Sequence, residues 1–209
     1  MPHLSPGAMP RLSRTVPPAV LPILVLALVL SLTACRDTPP PDVQGQRRTT
    51  SEAVTVSAQP VVTRTKIHRV FGRLPEARRK AVRRDVEKVV DGWWEAAYLG
   101  GTYPRDSFPS AFPGFTRGAE QRARADKALL TNETHGTRIE SVVARRRAVS
   151  LDVLAVGGHA RSVTATFVLR FRTTGEKQGT TTVRGRLLLT RRGGPWRVFG
   201  YDVSKGSSA

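Results

Sequence analysis

The stretch that decides the fold is VTATFVLRF, residues 163–171. Apolar side chains at every second position, including Phe167, Leu169 and Phe171, alternate with threonine, valine and arginine. A period of two residues is typical of a β-strand with one face on the core and one toward solvent. We therefore predict a half-buried strand here, and its apolar face must be covered by other elements.

The same alternation recurs in the neighbouring segments 149–155, 183–189 and 196–200. Short glycine-containing links separate the four segments: Gly157-Gly158, TGEKQG at 174–179 and Gly193-Gly194. Such links are typical of tight turns, and strands joined by them must be antiparallel neighbours. The sequence therefore predicts a four-stranded antiparallel meander after Gly136.

Two helices are predicted before this meander, which makes the fold class α+β. Pro75 suits the first turn of one helix and Gly100-Gly101 suits its end. One apolar stripe at helical spacing consists of Val82, Val86, Val89, Trp93 and Ala97, and a second row on its flank consists of Val90, Trp94 and Tyr98. An alanine-rich second helix is expected from Arg117 to Leu130. Both helices are expected to cover the sheet.

Between the helices lies an aromatic loop, GGTYPRDSFPSAFPGF, residues 100–115. Its prolines forbid a regular helix, and aromatic rings left on a surface would be sticky. We interpret the loop as an ordered cover that folds back over the first helix. The alternative is a lid or pocket rim for a ligand, formed by Trp94, Tyr98, Tyr103, Phe108, Phe112 and Phe115.

The amino-terminal part has the pattern of a secretory signal. Arg11 and Arg14 precede an apolar run from Val20 to Leu30, and small residues follow it. That run is shorter than the roughly 20 residues of a membrane-spanning helix. We predict that residues 1–34 are removed, with Met1 or Met9 as the translation start.

Leu32-Thr33-Ala34-Cys35 resembles the lipobox of bacterial lipoproteins. The resemblance implies that Cys35 carries a diacylglyceryl group, with acyl chains such as palmitate, and becomes the first residue of the mature protein. Two or more acyl chains hold a protein stably on a membrane. The implied location is the extracytoplasmic face of the cell membrane. The alternative is an uncleaved membrane anchor in which Cys35 has no role.

The predicted mature chain has three parts. Residues 35–60 are rich in proline and small polar residues and contain no aromatic residue, so we expect a flexible tether. Residues 61–74 have a β-like composition and could add a strand to the domain. Residues 75–205 form the α+β domain, which is long enough for one core.

The chain is strongly basic, with 34 Lys and Arg residues against 16 Asp and Glu residues and a net charge of +18. The charge falls to about +16 if the signal leaves with Arg11 and Arg14. A positive field attracts polyanions. Outside the cytoplasm these would be anionic lipid or wall polymer, and nucleic acid is not an expected partner. The simpler interpretation is a solvated basic surface.

The order of elements, and the closing segment WRVFGYD at 196–202, resemble the NTF2-like roll, also described as SnoaL-like or cystatin-like. Several actinobacterial lipoproteins look similar, with a lipobox, a polar tether and such a roll. The resemblance implies a curved sheet around a cone. Enzymes of this fold carry acid and base residues inside the cone, and no such residue can be matched to a position here.

Catalytic and metal motifs are not evident in the sequence. The four histidines, His3, His68, His135 and His159, lack metal-ligand spacing, and no phosphate-binding glycine loop or nucleophile elbow occurs. No cofactor or metal is therefore expected. The candidates for an acid or base are Asp106, Asp152, His135 and Tyr98.

Three classes of function remain. The favoured one is a lipid-anchored module of the cell envelope that binds a small apolar ligand or a partner protein, and it is not an enzyme. The second is a basic surface that binds anionic lipid or wall polymer. The third is an enzyme resembling ketosteroid isomerase. A buried acid inside an apolar cone would favour catalysis, and steep salt dependence would favour a binder of phosphate groups.

Overall fold

A computed structural model of the protein describes residues 60–208. The signal segment, Cys35 and the tether up to residue 59 lie outside these residues. The strands are β1 Arg64–Phe71, β2 Ser141–Val156, β3 His159–Thr174, β4 Gly179–Thr190 and β5 Arg197–Ser208. The helices are α1 Glu76–Trp94, α2 Arg117–Ala125 and α3 Lys127–Leu130, with a π-helical turn at Glu95–Leu99 and a 3-10 helix at Glu133–Arg138.

The strands form one sheet in the order β1-β2-β3-β4-β5. The antiparallel pairing of β2 with β3, β3 with β4, and β4 with β5 follows the predicted meander. The α+β class is confirmed, and the strand expected within residues 61–74 is β1, but the sheet is not limited to the four antiparallel strands that were predicted. β1 adds a fifth strand that pairs parallel to β2, so the sheet is mixed. The helices lie between β1 and β2 in the chain. They can therefore carry the chain back to the end of the sheet where β1 began, as a parallel pairing requires.

The helical region also differs from the prediction of two helices ahead of the sheet. β1 precedes α1, and the predicted helix from Arg117 to Leu130 is divided into α2 and α3 at Asp126. The Asp126 backbone leaves the helical region, with φ −96° and ψ 19°. Its carboxylate accepts a hydrogen bond from the Tyr201 hydroxyl at 2.7 Å. A carboxylate held by β5 at this position fixes the break between the two helices.

The inner face of the sheet, which packs against α1, carries the alternating apolar residues. All of those predicted on the first two long strands are buried: Val149, Leu151, Val153, Ala155, Val163, Ala165, Phe167, Leu169 and Phe171. Phe167 lies between two tryptophans, with its ring centroid 5.4 Å from Trp93 and 5.9 Å from Trp94. The period of two thus identified the core face of these strands correctly.

The buried stripe of α1 is wider than predicted. Val90, Trp94 and Tyr98, which were assigned to the flank, are fully buried, whereas Val89 is only partly buried. The stripe is therefore centred between the two predicted rows, because the sheet and the aromatic loop cover α1 from adjacent sides. The π-helical turn continues this buried surface through Ala97 and Tyr98.

One arginine of β2 points toward the core. Arg147 lies opposite Leu169 and shares the inner face with Val149, and a β-bulge between Ala144 and Arg146 shifts the register before it. Its guanidinium donates hydrogen bonds to Asp91 at 2.9 Å, Glu95 at 2.6 Å and Thr63 at 2.8 Å. Burial acts to lower the pKa of Arg147, but the hydrogen bonds to the two carboxylates outweigh it and leave the pKa raised. This network fastens the chain just before β1 to α1.

Candidate functional site

The six aromatic residues predicted as a pocket rim lie close together and form part of the packed interior. Trp94, Tyr98, Phe108, Phe112 and Phe115 are buried, and Tyr103 is partly buried. The ring of Tyr98 lies 5.8 Å from that of Phe171, and the rings of Phe112 and Phe115 are 5.4 Å apart. Phe108 and Phe112 also border a small cavity of about 260 Å³.

The polar atoms of this cluster bond to one another and to the backbone. The Tyr98 hydroxyl donates to the Leu129 carbonyl at 2.9 Å, and the Tyr103 hydroxyl donates to the Tyr98 carbonyl at 2.8 Å. The Asn132 amide donates to that same carbonyl at 3.1 Å. Burial raises the pKa of Tyr98 well above its ordinary value, which keeps the phenol protonated at neutral pH. These contacts hold the loop in place.

The carboxyl end of the aromatic loop is joined to β5. The Val198 N–H donates to the Gly114 carbonyl at 2.9 Å, and the Thr116 N–H donates to the Val198 carbonyl at 2.8 Å. Gly114 has φ +77°, and a Cβ there would lie 2.9 Å from the Val89 side chain. The loop thus approaches α1 so closely that glycine is required at this position.

The acid and base candidates lie apart on the surface, except for the buried Tyr98. Asp106 is exposed, and Asp152 points away from the core and lies 2.9 Å from His68 Nδ1. His135 Nδ1 lies 2.8 Å from a guanidinium nitrogen of Arg138. Within residues 60–208, the buried polar residues are Thr131, Asn132 and Thr173, and no cluster of three His, Cys, Asp or Glu side chains could hold a metal ion.

The outer face of the sheet, opposite α1, is basic. Its exposed cationic residues are Arg64, Lys66 and Arg69 on β1, Arg146 on β2, Arg170 and Arg172 on β3, and Arg184 and Arg186 on β4. The acidic residues on this face are Asp152, next to His68, and Asp202, which accepts a hydrogen bond from Arg186 at 2.7 Å. Positive charge therefore predominates across the outer face.

A concave site beside this face, which we call the basic groove, has a volume of about 920 Å³. It is lined by residues of β1 at the edge of the sheet, of α1, and of β2 and β3. Its charged residues are Arg64, Lys66, Lys80, Arg83, Arg84, Glu87 and Arg146. Small or short side chains contribute to its lining, namely Ala148, Ser150, Thr166 and Val168. Six cations thus surround a groove that contains one carboxylate.

The cations of the groove are poorly neutralised. Arg84 lies 3.0 Å from Asp85, whereas within residues 60–208 the other five form no salt bridge. Arg146 is also directly opposite Arg170 on the neighbouring strand. Like charges in facing positions destabilise a sheet. An anion placed in the groove would relieve this repulsion, so the arrangement is suited to binding phosphate or carboxylate groups.

The basic groove was not predicted from the sequence. The signals were present in Arg64 and Lys66, which are two residues apart in a β-like segment, and in the basic side of α1. What joins these residues is the parallel pairing of β1 with β2, which places Arg64 beside Ala148 and Lys66 beside Ser150. A period of two does not reveal which strand will be the neighbour.

Comparisons with protein-family models, with curated proteins and with solved structures find no match to this chain. Between residues 60 and 208, none of the helices combines the length and the apolar character that crossing a membrane requires.

Proposed function

We propose that this protein is a lipid-anchored binding module of the bacterial cell envelope, and that the basic groove binds a linear polyanion outside the cytoplasm. The observation that carries the proposal is a groove with six cations and one carboxylate. Guanidinium groups form strong, charge-assisted hydrogen bonds to phosphate and carboxylate. A polymer that repeats such groups could contact several of these cations at once.

The shape of the groove favours a polymer chain over a flat lipid surface. Its lining residues come from several elements, namely α1, β1, β2 and β3. The large apolar side chains that are exposed, such as Phe71, Leu154 and Leu188, are not among its lining residues. A peripheral site that enters a bilayer normally inserts apolar side chains. A concave basic site without such side chains therefore suits an extended polyanion better than a bilayer.

The proposed anchor is Cys35, on the basis of its lipobox resemblance. Residues 36–60 could span at most about 80–90 Å if fully extended, since a residue contributes about 3.3–3.6 Å. That reach would allow the domain to contact polymer well away from the membrane surface. A basic groove would also attract nucleic acid. The extracytoplasmic location is the reason for choosing an envelope polymer as the ligand instead.

We keep the NTF2-like roll as part of this proposal, with one difference in the position of the site. Binding in such a roll would be expected inside the cone. Here the rings of Trp93, Trp94 and Phe167 pack together between α1 and the sheet, and each residue is at most 1% exposed. The outer side of the sheet, rather than its inner side, therefore offers the better binding surface.

The test is binding of fluorescent inorganic polyphosphate to the full lipidated chain in a neutral detergent. We expect affinity to fall at least tenfold between 50 and 200 mM salt, because several counterions are released on binding. The triple variant Arg64→Gln, Lys66→Gln, Arg146→Gln should lose a further factor of ten or more. A control variant with the same loss of charge carries Arg117→Gln, Arg161→Gln and Arg192→Gln, all outside the groove.

Equal losses in the two triple variants would show that net charge, and not the groove, accounts for binding. Vesicles of phosphatidylglycerol give the comparison with lipid. If the protein binds these vesicles more tightly than polyphosphate, and if only the groove variant weakens vesicle binding, the partner is anionic lipid instead. Metabolic labelling with a fatty-acid analogue tests the anchor, and a Cys35→Ala protein that still takes up the label would disprove it.

A further inference from the structure

A second concave site lies between α1, the aromatic loop and the hairpin that joins β4 to β5. It has a volume of about 550 Å³, within the usual range for small-molecule sites. We call it the crevice, and its lining consists of Asp85, Lys88, Val89, Gly92, Pro113, Gly114, Arg191, Gly194, Pro195, Trp196 and Arg197. It shares no lining residue with the basic groove.

Glycines help to keep the crevice open. A Cβ added at Gly92, in the last turn of α1, would meet only Pro113 Cγ, at 3.8 Å. A Cβ added at Gly194 would meet no atom within 4 Å. Glycine inside a helix lowers its stability by about 1 kcal/mol relative to alanine. Gly92 therefore lowers the helix propensity of α1 at a position where a larger side chain would fill the crevice.

The charge around the crevice is positive. Lys88, Arg191 and Arg197 contribute three cations, and the one carboxylate, Asp85, already accepts a hydrogen bond from Arg84 at 3.1 Å. Arg197 donates to the Phe115 carbonyl at 3.3 Å. Within the described part of the chain, Lys88 and Arg191 form no side-chain hydrogen bond or salt bridge. Two cations are thus available to an anionic ligand.

Trp196 places a buried indole ring in the lining of the crevice. The residue is 2% exposed, and its indole N–H has no partner among residues 60–208. The Trp94 indole N–H, outside the crevice, likewise has no partner there, whereas that of Trp93 donates to the Leu130 carbonyl. Because Trp196 lines the crevice, its indole resonance should report on a ligand bound there.

We propose that the crevice is a binding site for a small amphipathic carboxylate. The apolar part of the ligand would lie against Val89, Pro113 and Pro195. The carboxylate would be held by Lys88 and Arg191. This inference does not depend on the polyanion proposed for the basic groove, because the two sites use different residues and different ligand chemistry.

The test uses phenylacetate as the probe, with the full chain in a neutral detergent and ¹⁵N-labelled tryptophan. The chain has three tryptophans, so three indole N–H resonances are expected, and Trp196→Phe identifies the one from Trp196. Phenylacetate should shift that resonance with saturation, whereas the Trp93 resonance should stay in place. Phenylacetamide and phenethylamine, which lack the negative charge, should bind at least tenfold more weakly.

Gly92→Leu should lower phenylacetate affinity at least tenfold, because its side chain fills the crevice, and the helix should tolerate it. Its matched control is Gly118→Leu on α2, where an added Cβ meets only a guanidinium nitrogen of Arg122 at 3.8 Å. Lys88→Gln should weaken the binding of phenylacetate and leave the binding of phenylacetamide unchanged. If Gly92→Leu does not fold, Gly194→Leu takes its place.

Two results would overturn the proposal. One is equal affinity of the protein for phenylacetate and phenylacetamide, since the cations would then have no part in binding. The other is a Trp196 resonance that does not respond to millimolar phenylacetate, or that responds equally in the Gly92→Leu and Gly118→Leu proteins. The polyphosphate experiment is unaffected by either result, so the two sites can fail separately.

Discussion

The two faces of the sheet are formed by the same strands, yet they have opposite physical roles. On β3, Phe167 is 1% exposed and contacts two tryptophans, whereas the residues on either side of it, Thr166 and Val168, lie on the outer face, where Thr166 is exposed and Val168 is half-buried. One residue along the strand separates the protein core from a charged surface. Stability should therefore depend on the inner face, and binding should depend on the outer face.

The energetic difference between the faces follows from burial. Removing an apolar side chain such as Phe167 from water contributes about 1.5–3 kcal/mol. Exposed substitutions usually change the free energy of unfolding by less than about 0.5 kcal/mol. On the outer face, the facing pair Arg146 and Arg170 even opposes folding slightly, because like charges repel. The outer face thus keeps residues that stability alone would not favour.

The largest effect is expected from Phe167→Ala. Because this ring lies between Trp93 and Trp94, its loss should leave a cavity that the tryptophans cannot close. We expect the free energy of unfolding to fall by about 3–5 kcal/mol. Urea unfolding followed by tryptophan fluorescence measures it. The neighbouring Thr166→Ala should change stability by less than about 0.5 kcal/mol, and comparable losses at the two positions would contradict the division between the faces.

A smaller but clear loss is expected in the aromatic loop. Phe112→Ala and Phe115→Ala should each lower the free energy of unfolding by about 2–4 kcal/mol, and the melting temperature by several degrees. The reason is that both rings are buried and the loop is bonded to β5 through Gly114 and Thr116. Ser110→Ala, at an exposed position of the same loop, is the control.

A mobile lid would give a different result. Truncation of Phe112 or Phe115 would then leave the melting temperature near that of the parent and change ligand binding instead. Unchanged melting in both variants would show that the loop does not stabilise the fold, and the pocket-rim interpretation of its aromatic residues would have to be reconsidered.

Three consecutive arginines give the next comparison. Arg147 is 13% exposed and bonds to Asp91 and Glu95, whereas Arg145 and Arg146 are exposed. Arg147→Ala should lower the free energy of unfolding by about 2 kcal/mol, because it leaves two partly buried carboxylates without their cation. Arg145→Ala and Arg146→Ala should change it by less than about 0.5 kcal/mol. Equal effects at all three positions in urea unfolding would mean that the ion pairs of Arg147 stabilise the fold no more than an exposed arginine does.

These arginines also show how much of the structure could be predicted from the sequence. The alternation in β2 and β3 predicted which residues are buried, because a period of two leaves only one choice of face. Arg147 keeps the phase of Val149, whereas the bulge at Arg145 reverses the choice of face for Ala144, and no local signal in ARRRAV marks the bulge, since all three arginines have the same intrinsic preferences. The sequence around Arg147 does not reveal that its partners will be Asp91 and Glu95, which belong to another element.

The same limit applied to the strand at the edge of the sheet. The β-like composition of residues 61–74 indicated an extended segment, but its direction and neighbour depend on contacts with β2 far along the chain. The basic groove exists only because of that pairing, so the site could not be predicted before the topology was known. The break between α2 and α3 likewise depends on the bond from Tyr201 to Asp126.

The smallest effect is expected from Lys205, whose side chain is partly buried. Its ammonium group donates to the carbonyls of Ala128 and Thr131, the latter at 2.7 Å, near the end of α3. Burial lowers the pKa of Lys205 to about 8, from an ordinary value of 10.5. Between these pH values the folded chain has released a proton that the unfolded chain still holds. The free energy of unfolding should therefore rise with pH in this window.

Because the ammonium group retains part of its solvent contact, we expect a rise of only about 1 kcal/mol between pH 8 and pH 10. Above about pH 10 the trend should reverse, since burial and the Asp126 carboxylate raise the pKa of Tyr201 to about 12. Urea unfolding across this range measures the profile. Lys205→Met should abolish the rise, whereas Lys66→Met, at an exposed position on the outer face, should retain it. A rise that survives in Lys205→Met would assign the pH dependence to another group.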